Sequence, residues 1–137
     1  MPVILQLSDA HPSPRNELFR GNLELIRRIA EEVRPDLVVA SGDLSLDGAD
    51  RDEDLAFTAE MHRAFPGQFL ALPGNHDVGS HARTMPHQPI DTARLARFQT
   101  HLGAGRGVGD CAWTVVMPAT SDDNSSSEGA ILCIARL

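Results

Sequence analysis

Three hydrophobic runs in this chain each end in a short motif of acids, amides and histidines. Residues 3–7 lead into Asp9-Ala10-His11, residues 37–40 into Gly42-Asp43, and residues 69–72 into Gly74-Asn75-His76-Asp77. A strand followed by a loop is how an α/β protein brings distant residues together, because ligands of open parallel sheets bind beyond the carboxyl ends of the strands. If the three runs are parallel neighbours, Asp9, His11, Asp43, Asn75 and His76 converge on one crevice. Two carboxylates, imidazole and an amide oxygen are hard and borderline donors suited to a divalent metal.

The segments between the runs carry helical signals. Pro12 and Pro14 predict an extended loop. Asn22 predicts an N-cap for a helix reaching Arg34, with Leu25, Ile26, Ile29 and Val33 on one stripe and Pro35 as its stop. Residues 44–50 read as a loop. Residues 51–65 read as a second helix with acids in its first turn, where they complement the helix dipole, and with Leu55, Ala59, Met61 and Phe65 on its apolar side. Pro66-Gly67 breaks it. The order is β-α-β-α-β, an α/β unit with right-handed crossovers. Residues 78–90 form a polar loop with His81 and His87. Asp91 caps a third helix carrying Leu95, Phe98 and Leu102, and Gly103 ends it. Beyond that point the periodicity stops. Residues 113–117 are a candidate strand, the Ser-rich residues 120–129 read as disordered, and residues 131–134 are a short apolar run.

Composition removes several classes of function. The net charge of −7 argues against a nucleic-acid partner, which would need a basic face. The chain has no lysine, so a Walker A phosphate loop is excluded. Cys111 and Cys133 make no C-x-x-C pair, which excludes zinc-ribbon and thioredoxin readings. The Gly-rich residues 103–109 fail the dinucleotide fingerprint in both registers and follow a helix rather than a strand. There is no G-x-S-x-G for a serine hydrolase, and Asp9-Ala10-His11 lacks the second Asp of an aspartyl-nucleophile phosphatase. Asn124-Ser125-Ser126 fits the glycosylation pattern, with nothing else to suggest secretion. The first residues run straight into an apolar strand, and no run approaches the ~18 residues of a membrane span. The expectation is a cytoplasmic protein with reduced thiols.

The order D-x-H, then G-D, then G-N-H-D, in the words SDAH, SGDL and LPGNHDVG, resembles the opening signature of the calcineurin-like metallophosphoesterases. The resemblance covers about residues 1–102. It implies the βαβαβ half of an α/β/β/α sandwich, with this chain supplying the first sheet and one strand of the second. Residues 1–117 are then the N-terminal part of a phosphoesterase domain and residues 118–137 an irregular tail. It also implies two divalent ions, Mn, Fe or Zn, roughly 3.5–4 Å apart. Asp9, His11 and Asp43 would hold one ion; Asp43 and Asn75 would hold the other. His76 would face the substrate and protonate its leaving oxygen or stabilise phosphoryl charge. The implied reaction is in-line attack of a metal-activated water on a small phosphoester, a phosphodiester or a phosphomonoester.

Further expectations follow for single residues. In an extended D-x-H segment, Asp9 and His11 would share a face and grip one ion. Gly74 would adopt a backbone conformation closed to other residues. Asp9, Asp43 and Asp77 would lie together and repel. His62 and His101 fall in helices and are expected at the surface; His81 and His87 lie within sequence reach of the crevice. The later G-H-x-H element of the family is absent, and no histidine follows His101. The expectation is therefore an N-terminal fragment, a truncated or frame-shifted reading of a longer gene. The alternative function is a catalytically incomplete metal-binding fragment, or one needing a complementing C-terminal half.

Overall fold

The computed structural model describes residues 1–103 and the backbone of residues 131–136. The chain order is β1 (Val3–Ser8), α1 (Arg20–Val33), β2 (Leu37–Ser41), α2 (Asp52–Arg63), β3 (Gln68–Leu72), α3 (Asn75–Val78) and α4 (Thr92–Phe98). A π-helical turn over Gln99–Gly103 follows α4, and β4 spans Ile131–Arg136. The sheet order is β3-β2-β1-β4. β1, β2 and β3 are parallel, with Leu5 beside Val38 and Val38 beside Phe69. The expected βαβαβ core is therefore present.

β4 falls on the short apolar run at 131–134, to which periodicity assigns no sheet position. It runs antiparallel to β1 with Val3 opposite Arg136, so it extends the first sheet rather than opening a second one. Within the segment 118–137 these six residues are strand, not irregular tail. The candidate strand at 113–117 and the Ser-rich run at 120–129 lie outside the described residues.

Both crossovers step the same way along the sheet, so right-handed connections put α1 and α2 on one face. That face carries Leu5, Leu7, Val38 and Ala40, all with no exposed surface, against Leu23, Ile26 and Ala30 of α1 and Leu55 and Ala59 of α2. Burying a leucine side chain of this kind contributes about 1.5–3 kcal/mol. Phe98 and Leu102 add the contribution of α4 and its π-helical extension. The packing face of α1 is turned from the expected stripe: Ile26 is buried as expected and Ile29 and Val33 are half-buried, but Leu25 is not on it. The helix starts at Arg20, two residues before the expected cap at Asn22, and buries Leu23, Ile26 and Ala30 while Leu25 stays 52% exposed. It ends on Arg34, whose N–H makes the last i→i−4 bond to the Ala30 carbonyl at 2.8 Å and whose left-handed φ of 50° turns the chain out of the helix ahead of Pro35. The loop after β1 contains a tight turn, with Asn16 N–H on the Ser13 carbonyl and Pro14 inside it. Asp91 caps α4 as expected, accepting from Arg94 N–H at 2.8 Å.

The loops beyond the strand ends are stitched to one another. Asp9 N–H donates to the Gly42 carbonyl and His11 N–H to the Asp43 carbonyl, both at 3.2 Å. Ala49 N–H donates to the His76 carbonyl at 2.9 Å. From outside, Arg94 donates to the Ala49 carbonyl at 2.9 Å and pairs with Asp50 at 2.7 Å, and Arg97 also donates to that carbonyl. Ser13 and Arg15 donate to the buried Asp54 of α2, both at 3.1 Å, which anchors the first loop.

Asp77 is the densest of these ties. It has no exposed surface. Its Oδ1 accepts from Ser45 N–H at 2.8 Å and Ser45 Oγ at 2.6 Å; its Oδ2 accepts from Leu44 N–H at 3.0 Å and Gly74 N–H at 2.8 Å. Burial pushes the carboxyl above its ordinary 3.8, and the four hydrogen bonds oppose that rise. The three N–H groups can only donate. The Ser45 hydroxyl already accepts from Gly48 N–H and so spends its own proton on Asp77. The bonding scheme is complete only with a carboxylate, whatever burial alone would favour.

His62 corrects another expectation. It is 1% exposed, not at the surface. Its ring packs 4.9 Å from Phe69 and 5.7 Å from Phe65, and its Nδ1–H donates to the Thr58 carbonyl at 2.8 Å. Nε2 is buried with no partner among the described residues. Burial lowers its pKa from 6.5 to about 4. The unfolded chain then binds the extra proton between these values and the folded chain does not. Stability is thus intact above pH 6.5 and falls as the pH drops toward 4, by about 3 kcal/mol from this group alone. Urea melts of wild type and His62→Leu from pH 7 to 4 should diverge by about that amount, with the variant the less acid-sensitive; parallel curves would refute the assignment.

Removing the Asp77 carboxylate strands four donors, three of them buried, and each buried one costs ~1–3 kcal/mol when unpaired. Asp77→Ala is expected to lower stability by more than about 3 kcal/mol, a large part of a domain's usual margin. Asp77→Asn keeps the shape but turns an NH2 toward N–H donors, and should fall between the two. Losses under about 1 kcal/mol in both variants would show that the tie is not structural.

Candidate metal centre

The three motifs stand where the strands deliver them, at the carboxyl ends of β1, β2 and β3. Their backbone is unusual. Asp9, His11 and Asp43 have φ of 57°, 43° and 50°, and the only other described non-glycine residue with positive φ is the helix cap Arg34. Left-handed residues cost ~1–2 kcal/mol each, and such strain clusters at functional sites. It also overturns the extended D-x-H geometry. Asp9 is not in the group of converging ligand atoms that His11 joins. The Asp9 Oδ2 instead accepts from Ser8 Oγ at 2.5 Å.

The two glycines act for different reasons. Gly42 has φ of 107°, which a side chain rarely adopts. Gly74 does not: its φ is −102°, open to any residue. What excludes a side chain there is space, since a Cβ would sit 2.2 Å from Asp43 Oδ1 and 2.3 Å from Asp43 N. Gly74 therefore lets the third loop press against Asp43, and the expected conformational role is replaced by a steric one.

His11, Asp43 and His76 come together. Each offers one ligand atom, and these atoms lie within 4.8 Å of one another. The two imidazoles meet edge to face, with centroids 4.5 Å apart, and Phe19 lies 5.6 Å from the His11 ring. Each ring is held by a backbone carbonyl. His76 Nδ1–H donates to Leu46 O at 2.7 Å, and His11 Nδ1–H donates to Ser45 O at 3.3 Å. Those bonds assign the Nδ1–H tautomer to both rings and leave Nε2 as the free lone pair. Asp43 spends Oδ1 on the His76 N–H at 3.1 Å, and among the described hydrogen bonds Oδ2 is free. All three residues are half-buried.

The other expected participants stand differently. Asn75 is exposed and is the first residue of α3, a short helix where a plain loop was expected. Asp77 is in the buried tie described above, not in a repelling carboxylate cluster. His81 and His87 are exposed and outside the group. His101 bonds Asp52 at 2.8 Å, far along the chain from the motifs. Sequence reading missed Asp77, Ser45 and the Leu46 carbonyl as supports. One signal was available: an acid three residues after Gly74 matches the spacing at which a side chain reaches back to a helix's first N–H.

The donor set fits a divalent ion. Two imidazoles and a carboxylate suit a divalent transition-metal ion. Neighbouring ligand atoms ~2.0–2.2 Å from one ion are roughly 3–3.6 Å apart, so donors lying within 4.8 Å of one another would have to draw in by about 1 Å to share an ion. No helix among the described residues is long and apolar enough to cross a membrane. No curated protein matches the chain. The family model for calcineurin-like phosphoesterases, however, matches residues 2–134, a span that takes in all three motifs and the strands behind them. A parallel α/β sheet whose strand ends gather two histidines and an aspartate is thus part of a recognised domain: this chain belongs to the calcineurin-like phosphoesterase family.

Proposed function

We propose that the protein is a metal-dependent hydrolase of small phosphoesters, diester or monoester, acting through a metal-activated water. The observation that carries this reading is the meeting of His11, Asp43 and His76 at the strand ends of a phosphoesterase domain. A bound divalent ion supplies Lewis-acid charge and brings water's pKa toward ~7. Asp9, His11, Asp43 and Asn75 are the proposed metal donors of the working site, with Mn, Fe or Zn as candidates and two ions as the full complement. Asp9 and Asn75 would have to turn inward to join them. His76 is the proposed proton donor to the leaving oxygen. Its Nδ1–H contact to the Leu46 carbonyl fixes the ring, so Nε2 is the nitrogen that would carry the donated proton. No covalent protein intermediate is required. We further propose a cytoplasmic setting, supported by sparse cysteine use, and a small-molecule rather than nucleic-acid substrate, supported by the net charge of −7.

A second reading, a metal-binding domain without turnover of its own, is favoured by one observation. Asp9 is tied to Ser8 and is not in the convergent group. Aryl phosphodiester and phosphomonoester assays, after chelation and re-addition of Mn, Fe or Zn, separate the two. The hydrolase reading expects activity only with metal, and a fall of about 10²–10⁴-fold in turnover for His76→Ala. Activity that survives both chelation and Asp43→Asn would overturn it. Metal binding without turnover supports the second reading.

A further inference from the structure

The fourth helix carries contacts that the three motifs do not account for. Arg94 and Arg97 lie one turn apart on α4, and both donate to the Ala49 carbonyl, Arg94 through Nε at 2.9 Å. Ala49 has no exposed surface, and its N–H donates to the His76 carbonyl at 2.9 Å. Arg94 does more than hold this carbonyl. Its Nη2 pairs with Asp50 at 2.7 Å and its Nη1 donates to the Pro89 carbonyl, on a side chain only 14% exposed. Asp50 in turn accepts from Gln88 Nε2 at 2.8 Å. Its carboxyl is held below the ordinary 3.8, first by the Arg94 bond and then by the Gln88 bond, so the pair is ionised at neutral pH. The loop of Gln88 and Pro89 is closed at its neck, by Ser80 N–H on the Gln88 carbonyl at 3.0 Å and Ile90 N–H on the Ser80 carbonyl at 2.7 Å. His76 lies just ahead of that neck in the chain and is bonded across space to Ala49. One guanidinium therefore joins the loops on both sides of it.

We propose that Arg94 is a positioning residue for His76: by locking residues 49–50 to the loop of residues 80–90, it sets where the proton donor stands relative to the leaving oxygen. The inference rests on the proton-donor role proposed for His76 and adds the residue that aims it. Among the described hydrogen bonds Arg94 touches none of His11, Asp43 and His76, so it acts through Ala49. Its planar fork serves three acceptors in fixed directions, which a lysine ammonium on a flexible stem does not reproduce. His11 is held differently, by its N–H on the Asp43 carbonyl and by the Ser45 carbonyl on its ring. Loosening Ala49 therefore falls on His76 and spares His11. The His76 ring keeps its Leu46 bond; what weakens is the backbone anchor that places the ring. A displacement on the order of 1 Å at a reacting group can cost ~10²-fold in rate.

Two esters of the same phosphate that differ in leaving group read the position of the proton. Phenol ionises at about pH 10 and needs a proton as it leaves; p-nitrophenolate leaves without one. Arg94→Met and Arg94→Lys are each expected to lower kcat on the phenyl ester by about 10–100-fold, and on the p-nitrophenyl ester by less than about threefold, with KM little changed. Arg94→Lys carries the test should Arg94→Met not fold. His76→Ala should show the same selectivity more strongly, whereas a fold loosened as a whole slows both esters alike. Hydrogen exchange gives a readout that needs no turnover. In the Arg94 variants the Ala49 amide should exchange at least about tenfold faster, while the Val38 and Ala40 amides of β2 keep wild-type rates. Equal losses on the two esters in both Arg94 variants, beside a selective loss in His76→Ala, would overturn the positioning role and leave the hydrolase reading standing. Equal losses in His76→Ala itself would overturn the proton-donor role and the inference with it. Where the wild type hydrolyses neither ester, the hydrolase reading falls, and exchange decides the tie: faster exchange at Ala49 sustains the lock on His76, and unchanged exchange overturns it.

Discussion

The buried carboxylate of Asp77 is what the rest of the site depends on. The loop after β2 has to leave the sheet, turn back over it and present Asp43, all without a regular hydrogen-bonding partner. Its Leu44 and Ser45 N–H groups sit in the interior, where an unpaired donor is costly. Asp77 takes both, adds the Ser45 hydroxyl, and binds Gly74 N–H with its other edge. One side chain from the third motif thereby fixes the second motif's loop. Once that loop is fixed, the Leu46 and Ser45 carbonyls have defined positions, and these orient the rings of His76 and His11. The chain of cause runs from a residue with no surface to the residues with the chemistry.

Strain and contact complete the arrangement. Three motif residues hold left-handed backbone, a state worth keeping only if the surroundings over-determine it. They do so through paired backbone bonds. Asp9 and His11 donate to Gly42 and Asp43 across the gap between the first two loops. Gly74 lets the third loop close onto Asp43 with no side chain between them. The loops are therefore packed backbone to backbone, and side chains are left to point outward into the crevice.

Much of this was legible before any coordinates. The strands announced themselves as apolar runs, α2 through its acidic first turn, and the cap at Asp91 through its position before Leu95 and Phe98. Order along the chain carried the site, because parallel strands deliver their loops to one edge. What sequence left hidden has physical reasons. Leu25 and Leu23 are equivalent to a periodicity argument; which faces the sheet depends on where α1 begins, and Phe19 and Arg20 carry no capping side chain to mark it. His62 reads as polar, yet Phe65 and Phe69 surround it, and the pattern on α2 gives no warning because Asp54, Thr58 and His62 share its buried side. Gly74 and Gly42 look alike in sequence, since spacing does not separate a need for positive φ from a need for room. β4 is a non-local pairing, and neither its partner nor its direction is encoded nearby.

The same logic bears on metal affinity. A binding site that must be ordered by its ligand loses part of the gross interaction to ordering. Here the hydrogen bonds that orient His11, Asp43 and His76 involve only the chain itself: two backbone carbonyls, one backbone N–H, and the Asp77 tie behind them. Ring orientation and tautomer are set by the chain itself, so less of the gross interaction would be lost to ordering these side chains. Asp9 and Asn75 are outside that framework, one bonded to Ser8 and the other exposed. Donors fixed by the fold and donors recruited from its margin would therefore enter binding on different terms.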